Sequence, residues 1–174
     1  MLTYAQYFFD HLGQISSLLS VGIVWLGFAA LGAVSSGPER IRALDPLIGW
    51  AWLGFAFTAL GVLFSIPFSF LSLAAAAAAI SAGVFVWRRE GSLLPSGFLR
   101  LLVLVLPLLI LVSAMQASQW DEFPHWLMIP RYMWETDAFP ARDNPYSKAY
   151  LTAYPFSWHF VTYLTSRVAG KLIE

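Results

Sequence analysis

Long apolar runs alternate with short polar connections along this chain, and that rhythm predicts its architecture. Four runs, at 15–34, 47–65, 68–87 and 98–116, carry almost no charged side chains. Each approaches the roughly 20 helical residues needed to cross a bilayer. Gly37-Pro38 and Asp45-Pro46 mark turns in the first connection, SSGPERIRALDP. Pro67 leaves room only for a tight hairpin between the second and third runs. The connection RREGSLLPSG leads into the fourth, where Pro107 reads as a tolerated kink whose freed carbonyl a neighbour can satisfy, with a gating hinge as the other reading. The alanine run at 74–79 reads as close helix packing, since small side chains let backbones approach in lipid, with a substrate groove as the other reading.

The expected fold is all-α: a polytopic transmembrane helical bundle with an extracytoplasmic loop carrying a short interfacial helix. Residues 1–117 form the four-helix scaffold and 118–155 the acidic and aromatic loop. Residues 156–174 begin a fifth, less apolar membrane helix with His159, Arg167 and Lys171.

Composition agrees. Of 174 residues, 59% are hydrophobic and only 11% charged, with a mean hydropathy of +0.66. A soluble domain carries about 25% charged residues, so too few polar groups exist here to cover a surface facing water. Zero net charge removes the basic field that a nucleic-acid partner needs. The absence of cysteine excludes disulfides, thiolate catalysis and cysteine-ligated metals. No Lys or Arg precedes the first run, and Asp10 does, so a cleavable signal peptide is not expected.

Charge also predicts orientation. Arg40 and Arg42 lie in the first connection, Arg88 and Arg89 in the third, and Arg100 at the mouth of the fourth run, whereas the connection at 65–69 is uncharged. The excess of arginine marks the cytoplasmic side, so the N-terminus and everything after Gln116 are expected outside.

Candidate chemistry concentrates between Gln119 and Tyr154. Asp121 and Glu122 stand just before Pro124 and within one helical turn of His125. One reading is structural: acids here cap a helix whose first turn holds the proline. The other is catalytic, because His125 and Arg131 fall near the same carboxylates. Trp126, Ile129, Met133 and Trp134 recur at helical spacing with His125, Arg131 and Glu135 between them, the pattern of a helix along a membrane interface. Asp137, Pro140, Asp143, Asn144 and Pro145 read as an irregular loop. Tyr146, Tyr150 and Tyr154 repeat every four residues as an aromatic wall, suited to sugar rings or to a membrane interface. A carboxylate at the membrane face can take a proton from an acceptor hydroxyl, and a nearby arginine can stabilise a departing phosphate. Those requirements describe sugar transfer from a lipid-linked phosphosugar.

The phrase W-D-E-F-x-H-W at 120–126, a short amphipathic helix, T-D-A-F-P at 136–140 and Tyr154-Pro155 before the last helix resemble polytopic GT-C-type glycosyltransferases. The likeness is to uncharacterised bacterial members that use polyprenyl-phosphate-linked sugars, and it covers about 118–163. It implies a plasma-membrane enzyme of envelope polysaccharide assembly, with Asp121 as catalytic base and Glu122 second. His125, Arg131, Tyr154 and His159 would then contact donor or acceptor. The implied partners are membrane lipid, a polyprenyl-phosphate-linked sugar and a glycan or lipid acceptor. No cofactor is required, although Asp121, Glu122, His125 and Asp137 could supply ligands to Mg or Mn. Family members carry more spans, so this chain reads as an N-terminal part. It departs from the family's Y-P-P-G in having Tyr154-Pro155-Phe156-Ser157, and three helices precede the one entering its acidic loop. Competing readings are a non-catalytic scaffold that binds a partner or glycan, a transporter of lipid-linked sugars, and a polysaccharide polymerase or ligase.

Overall fold

A computed structural model of the chain describes residues 15–37, 39–113, 127–139 and 157–173. The described residues form α1 (Ile15–Ser35), α2 (Asp45–Leu63), α3 (Phe68–Glu90), α4 (Phe98–Ser113), α5 (Met128–Thr136) and α6 (Ser157–Ala169). One 3-10 turn, Arg42–Leu44, leads into α2, and no strand occurs among the described residues. The all-α expectation holds for them.

Three helical stretches, Ser16–Ser35, Arg42–Leu63 and Phe68–Glu90, are long and apolar enough to cross a membrane. Leu19, Phe55, Phe70, Ile80 and Trp87 stand on their outer surfaces, each more than half exposed. Apolar surface on this scale is what a hydrocarbon solvent covers, and it marks the chain as a membrane protein. The fourth expected span is described over 16 residues, with Pro107 inside an otherwise continuous helix. Its expected continuation to 116 lies outside the described residues. No side chain of α4 is buried, and its clearest tie to the bundle is Phe98 stacked on Trp25 of α1, with ring centroids 4.8 Å apart.

Helix α1 is the centre of the bundle, touching α2, α3, α4 and α6. It runs antiparallel to α2, and the two backbones meet at Gly32 and Gly49. A β-carbon on Gly32 would overlap the carbonyl of Asp45, and one on Gly49 would overlap that of Phe28. Without hydrophobic driving force in lipid, helices associate by close packing, which these glycines permit. On its other side α1 runs parallel to α3, with Gly27 against Ala79 and Ala30 against Gly83. The alanine run therefore does pack a helix, but through Ala79, with Ala82 buried just beyond it; Ala74, Ala77 and Ala78 face outward.

The bundle has two chemically different ends. At one, Arg40 grips Glu90 through two hydrogen bonds of 2.6 and 2.5 Å and reaches Asp45 at 3.0 Å, while Arg42 lies 2.9 Å from Glu90. This cluster ties the α1–α2 connection to the last residue of α3. The hydrogen bonds it donates to Glu90 hold the Arg40 guanidinium well above its ordinary range, so it stays charged at every accessible pH. At the other end lies the tight hairpin that Pro67 predicted: the N–H groups of Phe64 and Ile66 both donate to the carbonyl of Leu60, and Ser65 takes a positive φ of 51°.

The core gathers at this hairpin end. Phe57 of α2, Phe68 of α3, Phe139 after α5, and Phe160 and Tyr163 of α6 are all buried. Their rings meet at 4.8 Å for Phe68–Phe139, 5.2 Å for Phe57–Phe160 and 5.6 Å for Phe68–Tyr163. Such offset and edge-on pairs add about 0.5–1.5 kcal/mol each beyond the area they bury. Helix α6, expected over 156–174, ends at Ala169, with Gly170 at a φ of 69°. Its buried Thr165 and Ser166 hydroxyls are satisfied within the helix: Thr165 donates to Val161 and Ser166 to Thr162. Trp50 of α2 donates its indole N–H to the carbonyl of Ser157 at 2.7 Å, which seats the start of α6 on the bundle.

Candidate functional site

Helix α3 starts without a cap of its own. Pro67 stands at its N-cap position and offers no side-chain hydrogen bond. The first N–H groups of a helix need partners from elsewhere. Here they come from Asp137, far along the chain. The N–H of Phe68 donates to the Asp137 carbonyl at 3.0 Å, and that of Ser69 to Asp137 Oδ1 at 2.8 Å. The Ser69 hydroxyl donates to Oδ2 at 2.5 Å, and the Tyr163 hydroxyl to Oδ1 at 3.0 Å. A carboxylate is also the right sign for the positive end of a helix dipole. One residue thus joins α3, α5 and α6.

Asp137 reaches this place because α5 stops there. Its φ of 56° is left-handed, a conformation Asp tolerates better than most residues, and its N–H donates to the Met133 carbonyl to close the helix. Ile129, Pro130 and Met133 on α5 are buried, while Arg131 and Glu135 are exposed. This matches the predicted alternation. Trp134 is half-buried, and the Arg167 guanidinium of α6 lies over its ring at 5.6 Å. Phe139, two residues past Asp137, locks the segment into the aromatic core.

The structure places the expected site residues unevenly. Asp121, Glu122, His125 and Tyr154 lie outside the described residues. Arg131 is exposed on α5. His159 is buried on the inward face of α6, with 1% of its surface exposed. Of the four candidate Mg or Mn ligands only Asp137 is described, and both its carboxylate oxygens already accept hydrogen bonds from Ser69 and Tyr163. That makes it an organiser of the fold. Among the described residues no group of three His, Cys, Asp or Glu side chains gathers as a metal site would.

Ser69, Tyr163 and Arg167 were not among the expected site residues. The first of these was legible in outline: Pro67-Phe68-Ser69 begins a helix with no residue at its start able to cap it, which calls for an outside partner. Nothing in the spacing says which partner. Arg131, Trp134 and Arg167 provide two guanidinium groups and an indole on the paired helices α5 and α6, groups that bind phosphate and stack on rings. No family model, no curated protein and no solved structure matches this chain. The GT-C resemblance accordingly stands on the quoted motifs alone.

Proposed function

We propose that the chain is part of a GT-C-type glycosyltransferase that moves a sugar from a polyprenyl-phosphate-linked donor to an acceptor at the outer face of the bacterial plasma membrane. The observation that carries this reading is the docking of α5 by Asp137 onto the hairpin end of the bundle, away from the arginine end. The arginines of the first and third connections, set against the uncharged connection at 65–69, assign their end to the cytoplasm by the positive-inside rule. On this reading helix α5 lies along the outer interface. Asp121 takes the proton of an acceptor hydroxyl, with Glu122 beside it; the freed oxygen attacks the anomeric carbon as the bond to phosphate breaks. Arg131 stabilises the departing phosphate.

The test is sugar transfer by the full-length protein in vesicles, using radiolabelled polyprenyl-phosphate sugar. Asp121→Asn should lose transfer while inserting normally and melting as the parent does. Undiminished product from this variant would remove Asp121 as the base. Undiminished product from Asp121→Asn/Glu122→Gln would remove the enzymatic reading of this loop in favour of a scaffold that binds glycan or a partner.

A further inference from the structure

Helices α1 and α3 touch along small residues, and beside that contact they leave a groove of about 590 Å³. That lies within the roughly 300–1,000 Å³ of ligand sites. Gly27, Ala76, Ala79 and Gly83 hollow it out. On α3 it extends from Ser69 to Val84, about 22 Å at the rise of an α-helix. Leu26, Leu73 and Ile80 along its edge are exposed, so it opens sideways to whatever surrounds the bundle. For helices that cross a membrane, that surrounding is acyl chain.

One end differs from the rest. Ser69, Ser72 and Arg167 line its hairpin end, and Arg167 is the one charged side chain among the described residues lining the groove. Its guanidinium rests on Trp134 and is exposed. Arginine and tryptophan together are the pair that settles at headgroup depth. The hydroxyls of Ser69 and Ser72 donate to Asp137 and to the Phe68 carbonyl, so the guanidinium supplies the charge that a ligand would meet.

We propose that this groove seats one acyl chain of an anionic bilayer phospholipid whose phosphate lies against Arg167. A long apolar channel with a single cation at its mouth is complementary to a chain ending in one negative charge. A zwitterionic lipid would bring an ammonium to the same place and offset the attraction. The bilayer presents its lipids directly to the open side, so no route through water is needed. This assignment is independent of the glycosyltransferase reading.

Native mass spectrometry of the full chain, purified in detergent and titrated with phosphatidylglycerol or phosphatidylcholine of matched chains, tests it. One phosphatidylglycerol should bind about fivefold more tightly than phosphatidylcholine, the factor one basic side chain gives at an anionic surface. Arg167→Gln should erase the preference and Arg167→Lys retain most of it; the position is exposed and both variants should fold, with Arg167→Gln melting slightly below the parent for loss of its contact with Trp134. Ala76→Phe, which fills the groove from an exposed position, should weaken both lipids. Equal affinity for the two lipids, or a preference that survives Arg167→Gln, overturns the proposal. Displacement of phosphatidylglycerol by equimolar polyprenyl phosphate also overturns it, and gives the groove to a prenyl carrier instead.

Discussion

Asp137 caps a helix whose first turn lies 68 residues before it: its carboxylate accepts both the backbone N–H and the hydroxyl of Ser69. The carboxylate therefore acts between elements and not within its own. It converts α5 from a short amphipathic segment into a fixed part of the bundle. Isolated helices of nine residues are marginal in water, so α5 depends on this attachment and on its buried Ile129 and Met133.

Asp137→Ala should destabilise the protein by about 2 kcal/mol, the loss of a cap together with a charge-assisted hydrogen bond. Asp137→Asn should lose less, because its carbonyl oxygen can still accept from Ser69. Thermal melts in detergent, read by circular dichroism, give both values. Combining Asp137→Ala with Ser69→Ala should cost less than the sum of the two singles; additivity would show that the two residues act independently.

Gly32→Ala and Gly49→Ala should each be severe, about 3 kcal/mol or more, since the new methyl meets backbone that cannot rotate aside. Gly22→Ala is the control. Nothing lies within 4 Å of a β-carbon there, so the same change at this position of α1 should be neutral or slightly stabilising. Equal melting temperatures for all three variants would contradict the α1–α2 crossing.

Arg40→Gln leaves Asp45, with 1% of its side chain exposed, without its cation. Breaking a fully interior ion pair from one side costs about 3–5 kcal/mol. A loss of roughly 2 kcal/mol is expected here, because the cluster lies at the end of the bundle and Arg42 stays beside Glu90. Arg40→Lys should recover only part of it, as an ammonium cannot make both parallel bonds to Glu90. Chemical unfolding in mixed micelles measures both.

Stability and transfer should separate between two aspartates. Asp121→Asn should abolish sugar transfer with no change in melting temperature. Asp137→Asn should lower the melting temperature, while at a temperature where both variants are folded it retains more than a tenth of the parent kcat. The reverse pattern would place the base at Asp137 and leave Asp121 as a helix cap.

Much of the scaffold was legible in the chain. Runs of hydrocarbon of bilayer length specify helices because no other backbone arrangement satisfies its own hydrogen bonds in lipid, and Pro67 specifies a short turn through its fixed φ. The apolar face of α5 was equally plain, since Ile129 and Met133 are four residues apart and both are buried. Those are local properties, set by residues within a turn or two of one another. Which helices pair is not local. The Gly32–Gly49 crossing, the grip of Arg40 on Glu90 fifty residues away and the capping of α3 by Asp137 bring together groups whose separation in sequence carries no periodic signal. The groove beside Ala76 and Ala79 is of the same kind: the alanines are visible in the sequence, but the space beside them exists only because α1 and α3 meet on Gly27 and Gly83 and α6 brings Arg167 to one end.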